Sequence, residues 1–289
     1  MANRTIILIA SLLALASVGG AQAAAAKPSC DRACLRGMVT AYLNALTRHR
    51  PGALPLARGV RFTENTQDLK PGQGLWKTIS GLGTFRQDIL DVHAGIAGSY
   101  ETIEVQGKPA LLVLRLKVKD RRITEIETQV TYDKADGALF DPSTLAAANP
   151  AMTATPEAAA RVSREEAIRI AGLYPMGLQA GSFVQVDTPF APDAYRDENG
   201  VITAGPPCTR NADCKDIKTE NIAPGRTGFQ TRVVAVDEEA GIVWLRMSWA
   251  RGPGTRLVVW EAFKIWGGQI HAVEAFMKRA PVEQTSGWD

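Results

Sequence analysis

The chain has 289 residues, 45% of them hydrophobic, and a formal charge of +3. That length fits two domains of ordinary size, each with enough apolar residues for its own core. The charge is close to neutral and no basic run interleaves with aromatics, so nucleic acid is excluded as an expected partner.

Residues 1–23 read as a leader peptide. Arg4 opens it, Ile6–Val18 is an apolar run, and Ala21-Gln22-Ala23 is a small-residue cleavage site. The run is short for a transmembrane helix, so no stable membrane anchor is expected. A periplasmic or secreted protein is expected, with an uncleaved anchor as the alternative. Export makes the four cysteines read as disulfides. Cys30/Cys34 and Cys208/Cys214 are the simplest pairs, with crossed pairings and a four-cysteine zinc site as rivals. Neither pair has zinc-knuckle spacing, and no histidines sit at metal-ligand spacing, so no metal and no cofactor are expected.

The first domain is expected over residues 24–135. Asp31 can cap a helix in which Leu35, Met38, Tyr42 and Leu46 recur at helical spacing, and Pro51-Gly52 ends it. A loop-rich segment follows, carrying Glu64, Asn65 and Trp76, and Gly81–Asp91 suggests a short helix. Strands are expected at Tyr100–Val105, Pro109–Lys119 and Ile123–Tyr132, joined as hairpins. Residues 136–162, with Pro142, Pro150 and Pro156, form the linker. The second domain, 163–289, repeats the order. Ser163-x-x-Glu166 is a capping box, and Pro175 is expected to kink or end its helix. Tyr195, Arg196, Glu198 and Asn199 lie in a second loop-rich segment, and strands follow at 228–236, 242–249, 256–266 and 269–278.

The repeat is visible in the chain itself. LKVKDRRITEIETQV (Leu116–Val130) and FKIWGGQIHAVEAFM (Phe263–Met277) align without a gap at an offset of 147 residues, the distance from Leu116 to Phe263. Arg61-x-x-Glu64-Asn65 is echoed by Arg196-x-Glu198-Asn199. With Tyr42–His49, Phe62–Asn65, Leu116–Glu127, Ala194–Asn199 and Glu261–Phe276, the chain resembles the nuclear transport factor 2-like, or SnoaL-like, superfamily, in two tandem copies. The Cys30/Cys34 start, FTEN and the C-terminal SGW are similar to an exported family of undefined function. The resemblance implies an α+β fold: two tandem cone-shaped domains, each a curved antiparallel sheet wrapped around helices, with an apolar cavity at the open end. It includes cofactor-independent isomerases, dehydratases, cyclases and lyases as well as inactive binding or assembly modules, so the fold leaves function open.

Chemistry in such a cavity calls for a carboxylate whose pKa burial raises, beside a group that steadies charge on oxygen. Glu64 and Glu198 are candidates, each followed by an amide, Asn65 or Asn199, although Glu-Asn also suits a turn. Leu257, Val259, Glu261, Phe263 and Ile265 share one strand face, which makes Glu261 the odd residue; its counterpart is Leu114. Glu261 is the third catalytic candidate, with an ion pair to Arg246 or Arg256 as its structural alternative. Glu127 and Glu274 fall on the faces of Ile123 and Ile270. Tyr195, Arg196, Trp76, Trp260 and Glu274 complete the expected substrate-binding set. The expected partner is an apolar small molecule, with homodimerisation left open. The expected activity is that of a lyase or isomerase moving a proton with a carboxylate, placed in the second domain; a non-catalytic binding or assembly module is the alternative.

Overall fold

The computed structural model describes residues 1, 30–223, 226–284 and 286–288. Apart from Met1, the expected leader lies outside the described residues. Helix α1 (Arg32–Thr47) opens the fold, with the Asp31 carboxylate accepting from the Cys34 N–H at 2.9 Å. It buries Leu35, Val39, Tyr42, Leu43 and Leu46. That stripe packs on β3 (Ile79–Asp91), β4 (Ile96–Val105) and β5 (Lys108–Lys119). With β1 (Leu56–Glu64), β2 (Gln67–Leu69) and β6 (Arg122–Thr131) these form a six-stranded sheet in the order β2-β1-β6-β5-β4-β3.

Short helical turns α2 (Lys134–Gly137) and α3 (Pro150–Thr153) carry the chain across. Then α4 (Arg164–Ala180) opens the second half, capped by the Ser163 hydroxyl. The Glu166 side chain pairs outward with Arg169 at 2.6 Å. The second sheet comprises β7 (Phe190–Glu198), β8 (Val201–Ala204), β9 (Thr227–Asp237), β10 (Ile242–Ala250), β11 (Thr255–Trp266) and β12 (Gln269–Pro281). Its order, β8-β7-β12-β11-β10-β9, is the first with every number raised by six. The architecture is therefore α+β with two equivalent six-stranded sheets.

Four expectations need correction. The segments around Glu64 and Glu198 are strands, not loops, and each pairs parallel to the last long strand of its sheet, so the sheets are mixed rather than wholly antiparallel. Residues 81–91 lie in β3, not in a helix. Two register irregularities interrupt this strand, between Ile79 and Gly81 and between Leu82 and Arg86, so its apolar residues do not alternate cleanly with polar ones. Of the two outcomes expected at Pro175, ending the helix is overturned: α4 runs through Pro175 and stops at Gly181, which takes the left-handed conformation with φ of 74°.

The two sheets pack against each other through their outer faces. Phe85, Ile89, Tyr100, Leu111 and Val113 meet Ala235, Trp244, Trp260, Ala272 and Phe276, with Leu145 and Met152 of the connection filling the edge. Lys264 is fully buried and fastens the connection by donating to the carbonyls of Met152, Ala154 and Ala240. The polar contacts across this layer come in reciprocal pairs. Arg32 of α1 donates to Asp237 at 2.5 Å, and Arg164 of α4 donates to Asp91 at 2.6 and 3.1 Å. Asp237 also accepts from the Leu90 N–H at 2.9 Å, and Asp91 from the Val236 N–H at 2.8 Å. Each helix thus ties to the sheet of the other repeat.

Gly98 pairs with Arg115 on β4, and Trp244 with Ala262 on β10, so the two hold the same place in the repeat. They also touch each other: a Cβ on Gly98 would lie 2.3 Å from Trp244 Cζ3. Gly98→Ala is therefore expected to force the sheets apart and cost about 1–3 kcal/mol by urea unfolding, a typical overpacking loss. A variant as stable as the parent would show that this layer is loosely packed.

Candidate functional site

The second repeat holds a cavity of about 550 Å³ between α4, the inner sheet face and the loop after β8. Three of the candidate residues line it: Arg196 and Glu198 at the end of β7, and Glu261 in mid-β11. The sequence reading had Leu257, Val259 and Glu261 on one face, and all three border the cavity. The alternation works here because β11 is regular over this stretch. Arg246 pairs with Trp260, next to Glu261 in register, and so faces the other way. It lies 3.6 Å from Glu127, while Arg256 donates to the Gln284 carbonyl. Neither is an ion-pair partner of Glu261.

Glu261 is 2% exposed. Burial, with Glu198 adding to it, pushes its carboxyl up to about 8, against the pull of Arg196 and of a hydrogen bond from Tyr174. The Tyr174 hydroxyl accepts from Arg196 Nη1 at 3.1 Å. Arg196 is the hub of the site. Its Nε donates to Thr203 at 2.8 Å, and its fork is bidentate to Glu220 at 2.5 and 2.8 Å, with Glu198 at 3.6 Å. Arg196, expected in the substrate-binding set, is thus held mainly by Glu220, a residue the sequence reading missed. Glu220 comes from the segment that follows the Cys208–Cys214 disulfide. Cys214 itself borders the cavity.

Chemically, the site offers a buried carboxyl whose pKa is raised past neutrality, a phenol that lines the same cavity and a guanidinium hydrogen-bonded to the phenol. That set can donate or take a proton and steady charge on an oxygen.

The other candidates lie elsewhere. Glu64 is buried and accepts from the Leu75 N–H with both oxygens, at 3.0 and 3.1 Å; burial raises its carboxyl to about 7. Trp76 is 2% exposed and fills the interior of the first repeat, edge-on to Tyr42 at 5.4 Å. Asn65 and Asn199 take left-handed conformations, φ of 49° and 53°. Their Oδ1 atoms accept from the Val130 and Met277 N–H groups at 2.9 and 2.8 Å. Both amides close turns, as the alternative reading of Glu-Asn had it.

Tyr195, Trp260 and Glu274 lie between the sheets, where the Tyr195 hydroxyl donates to Glu274 at 2.8 Å. The face expected for Glu127 and Glu274 is reversed. Each last strand carries an irregularity, at Thr124 and at His271, that inserts one unpaired residue. The extra residue turns the following side chains over. Ile123 and Ile270 stay in the inner cores while both glutamates face the layer between sheets. There Glu127 takes Arg232 at 2.8 Å.

Register shows what distinguishes the repeats. Phe62 pairs with Ile126, and Arg196 with Val273, so Phe62 is the counterpart of Arg196; the echo in the sequence holds at Glu64 and Glu198, which pair with Thr128 and Ala275, and is one residue out of step at the arginines. Leu114 replaces Glu261, as read. The first repeat has its own buried carboxyl, Glu101, also missed. The Ser99 hydroxyl donates to it at 2.5 Å, Arg86 lies 3.7 Å away, and burial raises it to about 8.

Both local disulfides, Cys30–Cys34 and Cys208–Cys214, are formed, which fits a protein of an oxidising compartment. No helix among the described residues is long and apolar enough to cross a membrane. Among those residues, no group of three or more His, Cys, Asp or Glu side chains is placed to hold a metal ion.

Residues 160–277, less than half of the chain, match a family model described as a domain of unknown function, DUF8021. No curated protein matches the chain. Among solved structures, the chain is similar to an NTF2-like protein of unknown function from Cytophaga hutchinsonii ATCC 33406, at 14% identity and a TM-score of 0.28, over 35% of this chain and 91% of that one. It is similar to an LEH-like epoxide hydrolase from M. tuberculosis at 20% identity and a TM-score of 0.28, over 39% of this chain and 83% of that one. A de novo designed protein with a curved β-sheet is 18% identical, with a TM-score of 0.30, over 35% of this chain and 87% of that one.

Proposed function

We propose that this is an exported protein, cleaved after residue 23, in which the second repeat is a lyase or isomerase. It acts on a small molecule with an apolar cyclic or aromatic body, using its own side chains without a cofactor. Residues 24–135 and 163–289 are two cones joined by 136–162, and the first serves as the fixed partner of the second. The observation that carries the reading is Glu261, a buried carboxylic acid opening onto the 550 Å³ cavity with Tyr174 against it. A cavity of that size suits a small-molecule ligand, and a carboxyl with its pKa moved toward neutrality suits proton transfer. Glu261 is the acid or base, Tyr174 and Arg196 steady charge on the substrate oxygen, and Glu198 completes the polar end.

The second reading is a binding module without turnover. Arg196 is already satisfied by Glu220, Thr203 and Tyr174, a preformed arrangement that needs no reaction to explain it.

A thermal-shift screen of the exported chain with cyclic enones, aryl alcohols and aryl-substituted cyclic acids tests the choice. Wild type is expected to convert at least one compound that raises its melting midpoint. Glu261→Gln should still bind that compound but turn it over about 10²–10⁴-fold more slowly. Equal turnover by Glu261→Gln would remove Glu261 from the mechanism, and tight binding without turnover by wild type would favour the module.

A further inference from the structure

Among the described residues, the rim of the cavity has two buried donors without a hydrogen-bond partner. Trp249, on β10, is 5% exposed and borders the cavity, yet its Nε1–H has no hydrogen-bond partner among the described residues. One ring face of Trp249 is taken by Phe229, stacked at 4.9 Å. The Arg226 guanidinium sits 5.9 Å from the ring centroid. Arg226 gives Nη1 to the Ala223 carbonyl at 2.5 Å, and its buried Nε–H also has no hydrogen-bond partner among the described residues. Arg251 borders the same opening.

The contrast with the inner end is one of charge. Arg196 has both Glu220 and Glu198, whereas among the described residues no salt bridge reaches Arg226 or Arg251. Burial first, and the neighbouring Arg251 next, pull the Arg226 guanidinium below its usual range. Two like charges and a bare indole N–H at the mouth of a pocket favour an anion.

We infer that the cavity takes a carboxylic acid, its carboxylate held at the rim by Trp249 Nε1 and Arg226 Nε, and its apolar body reaching in to Glu261. The inference rests on the reading of the cavity as a small-molecule site and names the class of molecule. Strand geometry sets the length. Trp249 pairs directly with Leu257, and Glu261 lies four residues further along the same face of β11. At about 3.3 Å per residue that is ~13 Å, the span of two linked rings and a carboxylate. Leu257, Val259 and Met277 provide the apolar wall between the two ends. A planar monoanion fits one indole N–H and one edge of a guanidinium.

Calorimetric titration of the full exported chain at pH 7.5 separates this from its rivals. The probes are biphenyl-4-carboxylate and naphthalene-2-carboxylate, each beside its neutral carboxamide. At least one acid is expected to bind about tenfold tighter than its amide, with the difference shrinking in salt. Arg226→Gln should bring acid and amide close to equal at an unchanged melting midpoint, and Trp249→Phe should do the same at a lower midpoint, since a buried ring is made smaller. Arg226→Lys, which keeps the charge but loses Nε, should fall between, and Glu261→Gln should keep the preference. Equal affinity of acid and amide for wild type, an acid preference that survives Arg226→Gln, or no binding of either acid at millimolar concentration would each overturn the inference. An acid preference that depends on Arg226, with no turnover of any ligand, would sustain it while removing the catalytic reading.

Discussion

Replacing Asp91 with alanine is expected to lower the unfolding free energy by about 3–5 kcal/mol, the usual cost of removing one member of a buried ion pair. The Asp91 carboxylate is 0% exposed and has three duties. It takes the Arg164 fork at 2.6 and 3.1 Å, the Val236 N–H at 2.8 Å and the Ala94 N–H at 2.8 Å. Alanine strands two backbone donors and leaves the Arg164 cation to Glu238, which is half exposed, at 3.4 Å. Asp237 matches it point for point, with Arg32, the Leu90 N–H and the Ala240 N–H, so Asp237→Ala should cost a similar amount. Arg164→Ala should cost much less. The arginine is 18% exposed, and its loss leaves Asp91 with both amide donors. Urea unfolding of the three variants is the check. If Asp91→Ala and Arg164→Ala cost the same, the backbone contacts across the layer contribute nothing measurable.

Stability should fall as pH rises from about 5 to 9. Burial is the first cause of the raised carboxyl pKa in Glu64, to about 7, and in Glu101, Glu261 and Glu274, each to about 8. In the unfolded chain these groups titrate near the ordinary glutamate value. Between that value and 7–8 the folded state therefore holds more protons than the unfolded state. Their contribution is complete below the unfolded pKa and is lost as pH rises through the folded pKa. Each carboxyl that stays protonated contributes a slope on the order of 1 kcal/mol per pH unit. Urea midpoints measured from pH 5 to 9 should decline, and Glu261→Gln or Glu274→Gln should flatten the profile and be more stable than wild type at pH 9. A midpoint that holds steady or climbs over this range would mean that these carboxyls ionise within the fold.

The sequence made the hairpins legible because their registers repeat: Leu114 pairs with Thr128 in β5–β6, and Glu261 pairs with Ala275 in β11–β12, each partner 147 residues on. Glu261 was legible because β11 is a regular strand with an apolar inner face. Glu127 and Glu274 were assigned to the wrong face because one unpaired residue, at Thr124 or His271, reverses a period-2 pattern without leaving a compositional mark. The Arg196–Glu220 pair spans a disulfide-closed insertion, and nothing local in either segment announces the other. Strands β1 and β3 hide their period in different ways. In β1 only the last three residues are buried, while β3 is broken by two register irregularities before Arg86.

Gly98 and Trp244 carry a consequence for how such a molecule can be built. In a dimer of identical halves, whatever stands at this place meets its own copy or the copy's neighbours. Two first repeats would set glycine against glycine and leave a hole the size of an indole. Two second repeats would set tryptophan against tryptophan in space made for one. A knob and a socket at equivalent sites demand two different sequences, and tethering in a single chain guarantees that each knob finds a socket. Once tethered, the halves answer to separate constraints: Phe62 and Leu114 can close one interior while Arg196 and Glu261 keep the other open. In a symmetric pair, every such exchange would be made twice.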